Sequence, residues 1–147
     1  FASRAPTTGI DFDIELAKRQ SNENPVYYVQ YAHARIASIL RKAAEAGFER
    51  AADIGGVLAG APESALARAL VRLPEVVEDA AAARETQGVT TFATDLATTF
   101  HAFYRDARVI DPDDPERTRA RLALVRATQV TLANALALLG ISAPESM

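Results

Sequence analysis

Two residues on one predicted helix have side chains suited to binding a nucleic acid. Tyr31 and Arg35 are four residues apart, so on a helix they project side by side from one face. An aromatic ring can stack on a base, and a guanidinium can contact a phosphate or the face of a ring. The same spacing also suits an aromatic at the edge of a core beside a solvated charge, which is the more common arrangement. The residue types alone therefore favour a structural interpretation over a binding one.

A second polar group lies on another predicted helix. His101, Tyr104 and Arg108 stand at positions i, i+3 and i+7, so they align on a face that differs from the apolar stripe of the same helix. The sequence does not say which helix this face meets.

The sequence contains no pattern typical of a catalytic or metal site. Its two histidines are His33 and His101, neither has a second ligand four residues on, and there is no cysteine, so a zinc site is not expected. No Gly-x-Ser-x-Gly elbow is present. Asp111, Asp113 and Asp114 lie in a loop without the glycine and terminal glutamate of an EF-hand, and we interpret that loop as a helix cap. We expect no catalytic residue, no metal and no cofactor bound to this chain.

Length and charge limit the remaining possibilities. The chain has 147 residues and a net charge of −3, which suits one domain and argues against gripping nucleic acid through bulk positive charge. Any such contact would be local and would neutralise few phosphates. No apolar run approaches the roughly 20 residues that span a bilayer, and the first residues lack the apolar core of a signal peptide. We therefore expect a cytoplasmic protein without membrane contact, and the start of the chain looks like a cut end.

The stretch from Asn24 to Ala43 is predicted to be a long helix. Asn24 can cap its first N–H groups, Pro25 suits the first helical position, and Gly47 suits the residue after its end. Apolar residues at three- and four-residue spacing predict a buried stripe of Val26, Val29, His33, Ile36, Leu40 and Ala43.

The same signals predict the other helices. A short helix is expected around residues 12–19, a flexible connection over 48–61, and two helices that open at Pro62 and Pro74. Gly88 is expected to separate these from an amphipathic helix with a stripe of Val89, Phe92, Leu96, Phe100, Phe103 and Ala107.

A final helix, from about Glu116 to Leu139, is expected to be capped by Asp114 and ended by Gly140. Its heptad seam is predicted as Leu122, Val125, Gln129, Leu132, Leu136 and Leu139, widened by Leu124 and Leu138. Arginines 117, 119, 121 and 126 are expected to form a positive surface cluster on it. The prediction is an all-α bundle of five or six helices.

Four blocks of this sequence, in this order, resemble the C-terminal region of arginyl-tRNA synthetases. They are DFDIELAKRQSNEN, NPVYYVQYAHARIASILRKA, VTTFATDLATTFHAFYRDARVI and RLALVRATQVTLANALALLGISAPESM. The resemblance implies the anticodon-binding domain of a class I synthetase over residues 24–147, with residues 1–23 leading out of the catalytic domain. It implies tRNA(Arg) as the partner of an enzyme that joins arginine to tRNA using ATP and that is a monomer as a whole. Because nothing here resembles the family's HIGH or KMSK signatures, ATP and Mg²⁺ would bind in the missing catalytic domain, and this chain alone would be inactive.

The resemblance also implies a set of anticodon-binding residues. Tyr31 and Tyr104 match family aromatics on the anticodon side, Arg35 and Arg41 follow Tyr31 at the family spacing, and Met147 would pack near the same bases. Arg41 lies about 80° from Tyr31 around an ideal helix, which places it at the edge of a shared site. Before VTTF the family usually carries a Pro-His-Arg-like run, whereas this chain has Thr86-Gln87-Gly88, so no role is carried over for that histidine.

Two other interpretations remain open at this point. Related helical anticodon-binding domains occur on cysteinyl-tRNA synthetases and on the β chain of the bacterial glycyl enzyme. A protein of another class, a helical adaptor that binds protein and no RNA, would have the same amphipathic helices.

Overall fold

The fold is all-helical over the residues that can be described. The structure, a computed structural model, describes residues 14–18, 20–21, 23–52, 58 and 60–147. These residues contain no strand and form six helices: α1 (Ile14–Lys18), α2 (Pro25–Glu45), α3 (Ala61–Leu70), α4 (Leu73–Ala83), α5 (Gln87–Asp106) and α6 (Pro115–Leu138). The prediction of an all-α bundle with five or six helices is therefore confirmed. None of the described helices combines the length and the apolar character needed to cross a membrane.

The ends of α2 follow from its capping residues. The Asn24 side-chain oxygen accepts hydrogen bonds from the N–H groups of Val26 at 3.1 Å and Tyr27 at 3.5 Å, and Pro25 opens the helix. Gly47 has a φ of +78° just beyond the last turn, a conformation that favours glycine. The predicted start and end of this helix are confirmed.

The core lies where α2, α5 and α6 pack against one another. The predicted stripe of α5 is buried, and Phe100 and Phe103 are its largest fully buried side chains. On α6 the seam from Leu122 to Leu136 is buried as predicted and Leu139 packs against the core, whereas Leu138, one residue earlier, faces away from the core and is exposed.

The buried face of α2 is wider than predicted. Ala32, Ala34 and Ile39 are buried in addition to the predicted stripe, because α2 packs against both α5 and α6. Within that stripe Leu40 is half-buried. The predicted burial of Val26 is wrong: its side chain is 42% exposed in the first turn of the helix.

Two boundaries near α4 differ from the predicted ones. Leu73 begins α4, and α5 begins at Gln87, so that Gly88 lies inside the helix that it was predicted to precede. A glycine near a helix start costs only about 1 kcal/mol relative to alanine, which the packing of the following stripe offsets. The helix α4 ends at Ala83, and the residue that follows it, Arg84, has a φ of +57°.

The predicted arginine cluster on α6 is not a purely surface feature. Arg121 forms an ion pair with Glu63 of α3, with 2.7 Å between Nη2 and Oε1, and the side chains are 13% and 4% exposed. Its other Nη donates to the Arg108 carbonyl at 2.9 Å. The prediction was wrong for Arg121 because a carboxylate on another helix turns this charge inward.

Some predictions fall on residues outside the described ranges. These are Phe12 and Arg19 of the predicted first helix, and most of the predicted glycine-rich connection, residues 53–57 and 59.

Candidate nucleic-acid interface

An open cleft lies where α2 and α5 face each other. It has a volume of about 420 Å³ and is lined by Tyr28, Tyr31, Arg35, His101, Tyr104 and Arg105. Three of these residues occupy one face of α2 at i, i+3 and i+7, and the others occupy one face of α5. The walls of the cleft are therefore set by two packed helices rather than by loops.

Arg35 is held between two aromatic rings. Its Cζ atom is 4.6 Å from the centroid of the Tyr104 ring and 5.8 Å from that of Tyr31. Cation–π contacts of this kind contribute about 0.5–2 kcal/mol. The guanidinium makes no ion pair with any carboxylate in the described part of the chain. This half-buried cation is thus fixed in place and available to an anionic ligand.

The imidazole of His101 forms part of the same aromatic cluster. Its centroid lies 5.2 Å from the Tyr28 ring, 6.1 Å from the Tyr31 ring and 5.6 Å from the Phe100 ring. Burial lowers the pKa of His101, and the nearby charge of Arg35 lowers that pKa further. Both effects favour the neutral imidazole at neutral pH.

The tyrosines of the cleft are held to different degrees. The Tyr28 hydroxyl is 3.3 Å from the Thr98 hydroxyl, which anchors it to α5. Tyr31 is 37% exposed, and its ring lies nearly parallel to that of Tyr27, with centroids 6.3 Å apart and an interplanar angle of 10°. The exposed ring of Tyr31 offers a flat apolar surface at the mouth of the cleft.

Phe100 connects the cleft to the core. It is fully buried, and its ring contacts His101 and also Tyr104, whose centroid is 6.2 Å away. The side chains that line the inner wall of the cleft therefore rest directly on a core residue.

Arg41 and Met147 lie away from the cleft. The segment Ser142–Glu145 follows another face of α2: Gln30 donates to the Ser142 carbonyl at 2.8 Å, and His33 Nδ1 lies 2.7 Å from the Pro144 carbonyl oxygen. Arg41 donates to the Glu145 carbonyl at 3.4 Å. We call this segment the tail. Met147, which follows it, is 56% exposed.

The structure thus brings together three of the five predicted site residues. Tyr31, Arg35 and Tyr104 line one cleft, while Arg41 contacts the tail and Met147 lies beyond it. Three other residues that line the cleft, Tyr28, His101 and Arg105, were not predicted as site residues. The three-residue spacing of Tyr28 from Tyr31, and of His101 from Tyr104, could have identified two of them as neighbours on the same helix face. Nothing in the sequence indicated that these two helix faces lie opposite each other.

Arg108 does not extend the polar face of α5 as the sequence spacing predicted. The helix ends at Asp106, and the exposed Arg108 side chain pairs with Asp111 at 3.2 Å. Arg105 is likewise turned to solvent and pairs with Asp106 at 2.8 Å.

The chemistry available in the cleft is that of binding. The cleft offers aromatic faces, a cation without a carboxylate partner among the described residues and a neutral imidazole, which together suit a planar group that carries or adjoins a negative charge. Within the described ranges, no group of three or more His, Asp or Glu side chains is placed to hold a metal ion.

Comparisons with known proteins agree with this chemistry. A family model described as the DALR anticodon binding domain matches residues 29–147. The chain is 52% identical to an arginine–tRNA ligase of Geobacillus thermodenitrificans and 50% identical to one of Bacillus subtilis, and each alignment covers 100% of this chain and 27% of the relative. The solved arginyl-tRNA synthetase of Thermus thermophilus matches with a TM-score of 0.81 at 37% identity, over 99% of this chain and 25% of that chain. The chain therefore spans about a quarter of the length of these relatives.

Proposed function

The chain belongs to the DALR anticodon binding domain family, and on this premise we propose that it binds the anticodon loop of tRNA(Arg) in the cleft between α2 and α5. The observation that carries the proposal is the position of Arg35. A half-buried guanidinium that lies 4.6 Å from the Tyr104 centroid, and that has no carboxylate partner among the described residues, is held ready for an anion.

The aromatic residues supply the second part of the binding site. An anticodon loop offers bases that can leave their stack and lie on aromatic side chains. Such stacking contributes about 1–3 kcal/mol per base. Tyr31 is exposed and sits at the mouth of the cleft, so its ring is the first surface that an incoming base meets, while Tyr104 and Arg35 act together deeper inside.

Arg41 and Met147 take a secondary role in this proposal. Arg41 contacts the tail and Met147 is exposed, and neither lines the cleft, so they would contact the loop only where it extends beyond the cleft. Their contribution is expected to be smaller than that of Arg35.

The proposal extends to the longer protein of which the chain would be one part. Relatives of which it covers about a quarter are arginine–tRNA ligases. The whole protein would be a cytoplasmic, monomeric enzyme that charges tRNA(Arg). ATP and Mg²⁺ would bind in its catalytic domain, which would contact the residues that precede α2.

RNA binding tests the first part of the proposal. We expect the chain to bind a synthetic tRNA(Arg) anticodon stem-loop, and to bind a stem-loop of another identity at least tenfold more weakly. Tyr31→Ala should weaken binding by about 1–3 kcal/mol, and Tyr31→Phe by less, because the stacking ring remains. Fluorescence anisotropy of a labelled stem-loop measures these differences.

Two matched arginine substitutions distinguish RNA binding in the cleft from non-specific electrostatic attraction. Arg35→Gln should weaken binding by about 1.5–3 kcal/mol, the value of a hydrogen bond to a charged group. Arg68→Gln removes the same charge from an exposed position on α3 and should leave binding unchanged. Equal losses for the two variants, or no binding by the unaltered chain, would overturn the proposal; binding of both stem-loops with equal strength would overturn its tRNA(Arg) part.

A catalytic assay tests whether the chain on its own can activate arginine. We expect no arginine-dependent exchange of pyrophosphate into ATP by the purified chain, because the residues proposed to catalyse it lie in another domain. A clear exchange signal would contradict this.

A further inference from the structure

We propose that His101 is a specificity-determining residue of the cleft, where an imidazole nitrogen forms a hydrogen bond with the edge of a bound base. This inference rests on the proposed function, since it assigns a role within the same binding site. It goes beyond the stacking and charge contacts described above, because neither of those distinguishes one base from another.

The imidazole of His101 lies next to the ring on which a base would stack. The His101 ring, on α5, contacts the rings of Tyr28 and Tyr31, which belong to α2. It also contacts the buried ring of Phe100. A base that stacks on Tyr31 would therefore have the imidazole beside it rather than across open solvent. The ring is half-buried, so a hydrogen bond formed there would be partly shielded from competing water.

The two ring nitrogens of His101 are available to a ligand. Neither ring nitrogen of His101 hydrogen-bonds to any residue in the described part of the chain, and neither is a buried polar atom without a partner. They are therefore accessible and uncommitted. By contrast, the Tyr28 hydroxyl already contacts Thr98, and the Nδ1 atom of the other histidine, His33, already contacts the Pro144 carbonyl.

A neutral imidazole can form a hydrogen bond that the arginines of the cleft cannot. A guanidinium only donates hydrogen bonds, whereas a neutral imidazole has one donor and one acceptor nitrogen. The charged groups that line the cleft are Arg35 from α2 and Arg105 from α5, and no carboxylate of the described residues lines it. Arg105 is paired with Asp106, whereas the charge of Arg35 disfavours a protonated His101. The imidazole thus adds to the cleft a nitrogen that can accept a hydrogen bond from a base amino or imino N–H group.

Two variants separate base recognition from simple packing. His101→Phe retains an aromatic ring against Tyr28 and Phe100 but removes both nitrogens, while His101→Gln retains a donor and an acceptor. The experiment measures the dissociation constants of the complete chain for the tRNA(Arg) anticodon stem-loop and for stem-loops changed at one anticodon base each. Each constant is measured at several salt concentrations.

We expect a selective loss in His101→Phe. Affinity for the unchanged stem-loop should fall by about tenfold, the effect of removing one hydrogen bond. Affinity for the stem-loop whose changed base faces His101 should stay near its starting value, so that discrimination at that one position disappears. His101→Gln should retain part of the discrimination. The salt dependence should be unchanged in both variants, because a neutral group releases no counterion.

Arg35→Gln serves as the comparison within the same assay. Loss of a cation should weaken all stem-loops similarly and reduce the slope of log affinity against log salt by about 0.7. If Arg35→Gln behaves in this way while His101→Phe leaves discrimination unchanged, or weakens all stem-loops equally, the role of His101 is refuted and the proposed function stands. If the unaltered chain binds none of the stem-loops, the proposed function itself fails.

A measurement on the unaltered chain removes dependence on the folding of any variant. The ¹⁵N resonances of the His101 imidazole report hydrogen bonding at each ring nitrogen. We expect one of them to shift on saturation with the tRNA(Arg) stem-loop. Resonances that stay in place at saturation would overturn the inference even if His101→Phe did not fold.

Discussion

The ion pair between Glu63 and Arg121 allows a sharp test of how α3 is held on the bundle. A single oxygen, Glu63 Oε1, accepts hydrogen bonds from Arg121 Nε at 2.9 Å and from Nη2 at 2.7 Å. The Glu63 side chain is 4% exposed, so water has little access to the site and cannot compensate for the negative charge that the substitution Glu63→Gln removes. We expect this variant to be less stable than the unaltered chain.

The magnitude follows from the hydrogen bonds that each substitution removes or weakens. Hydrogen bonds to charged groups contribute about 1.5–3 kcal/mol, and a glutamine oxygen can keep a weaker version of one of them. Glu63→Gln should therefore lower the free energy of unfolding by about 2 kcal/mol. Glu63→Ala should cost about 3–5 kcal/mol because it leaves Arg121 buried without its counter-charge.

Urea unfolding followed by circular dichroism measures both values. With slopes of about 1–3 kcal/mol per molar urea for a chain of this size, the midpoint for Glu63→Gln should fall by about 1 M. Glu78→Gln makes the same chemical change at an exposed position on α4 and should shift stability by less than about 0.5 kcal/mol. A midpoint for Glu63→Gln equal to that of Glu78→Gln would refute the reasoning.

The pH dependence provides a second check on the same pair. Burial acts to raise the pKa of Glu63, but its hydrogen bonds from Arg121 and from its own backbone N–H, with the charges of Arg121 and Arg117, lower that pKa overall. Since the pKa is lower in the folded state, the stabilisation is present above the pKa of the unfolded chain and is lost as pH falls through the folded value. The stability difference between the unaltered chain and Glu63→Gln should thus shrink below about pH 4; a constant difference would contradict the assignment.

Further expectations concern the helix ends, the tail and a tight glycine. Asn24→Ala removes the cap of α2 and should cost about 1 kcal/mol in thermal unfolding; an unchanged melting temperature would argue against the cap. Arg84→Gly relieves a φ of +57° at the end of α4 and should stabilise the chain by about 0.5–1 kcal/mol, whereas a lower melting temperature would contradict this. His33→Leu removes the 2.7 Å contact with the Pro144 carbonyl and should speed amide exchange in the tail about tenfold, and unaltered exchange rates would show that other contacts hold the tail. Gly60→Ala would place a Cβ against the Glu63 carboxylate and should cost about 1–3 kcal/mol in the unaltered chain but little in Glu63→Ala; equal costs in both backgrounds would refute the clash.

The sequence predicted features that depend on residues close together in the chain. Asn24, Pro25 and Gly47 define α2 through local hydrogen bonds and backbone conformation, and the stripe of α5 follows from a period that any single helix must satisfy. The predicted position of Gly88 was wrong because a modest local penalty was outweighed by packing at a distance.

Features that depend on contacts between two helices were harder to predict from the sequence. Arg121 looks like a surface charge until Glu63 is placed beside it, and periodicity does not reveal which helix lies opposite. The candidate site shows the same limit. Residue type and spacing singled out Tyr31 and Tyr104, and the resemblance assigned them to a binding site. Only the packing of α2 on α5 shows that they share a cleft with His101.

The position of Phe100 has a consequence for any attempt to engineer or diversify this domain. Because its ring contacts both His101 and Tyr104, a substitution that is conservative for the core is expected to move two side chains that line the cleft. Core redesign for heat resistance should therefore keep Phe100 while varying Leu96 or Leu132, which are buried but do not line the cleft. Over evolutionary time the same constraint would make drift at Phe100 inseparable from drift in what the cleft binds.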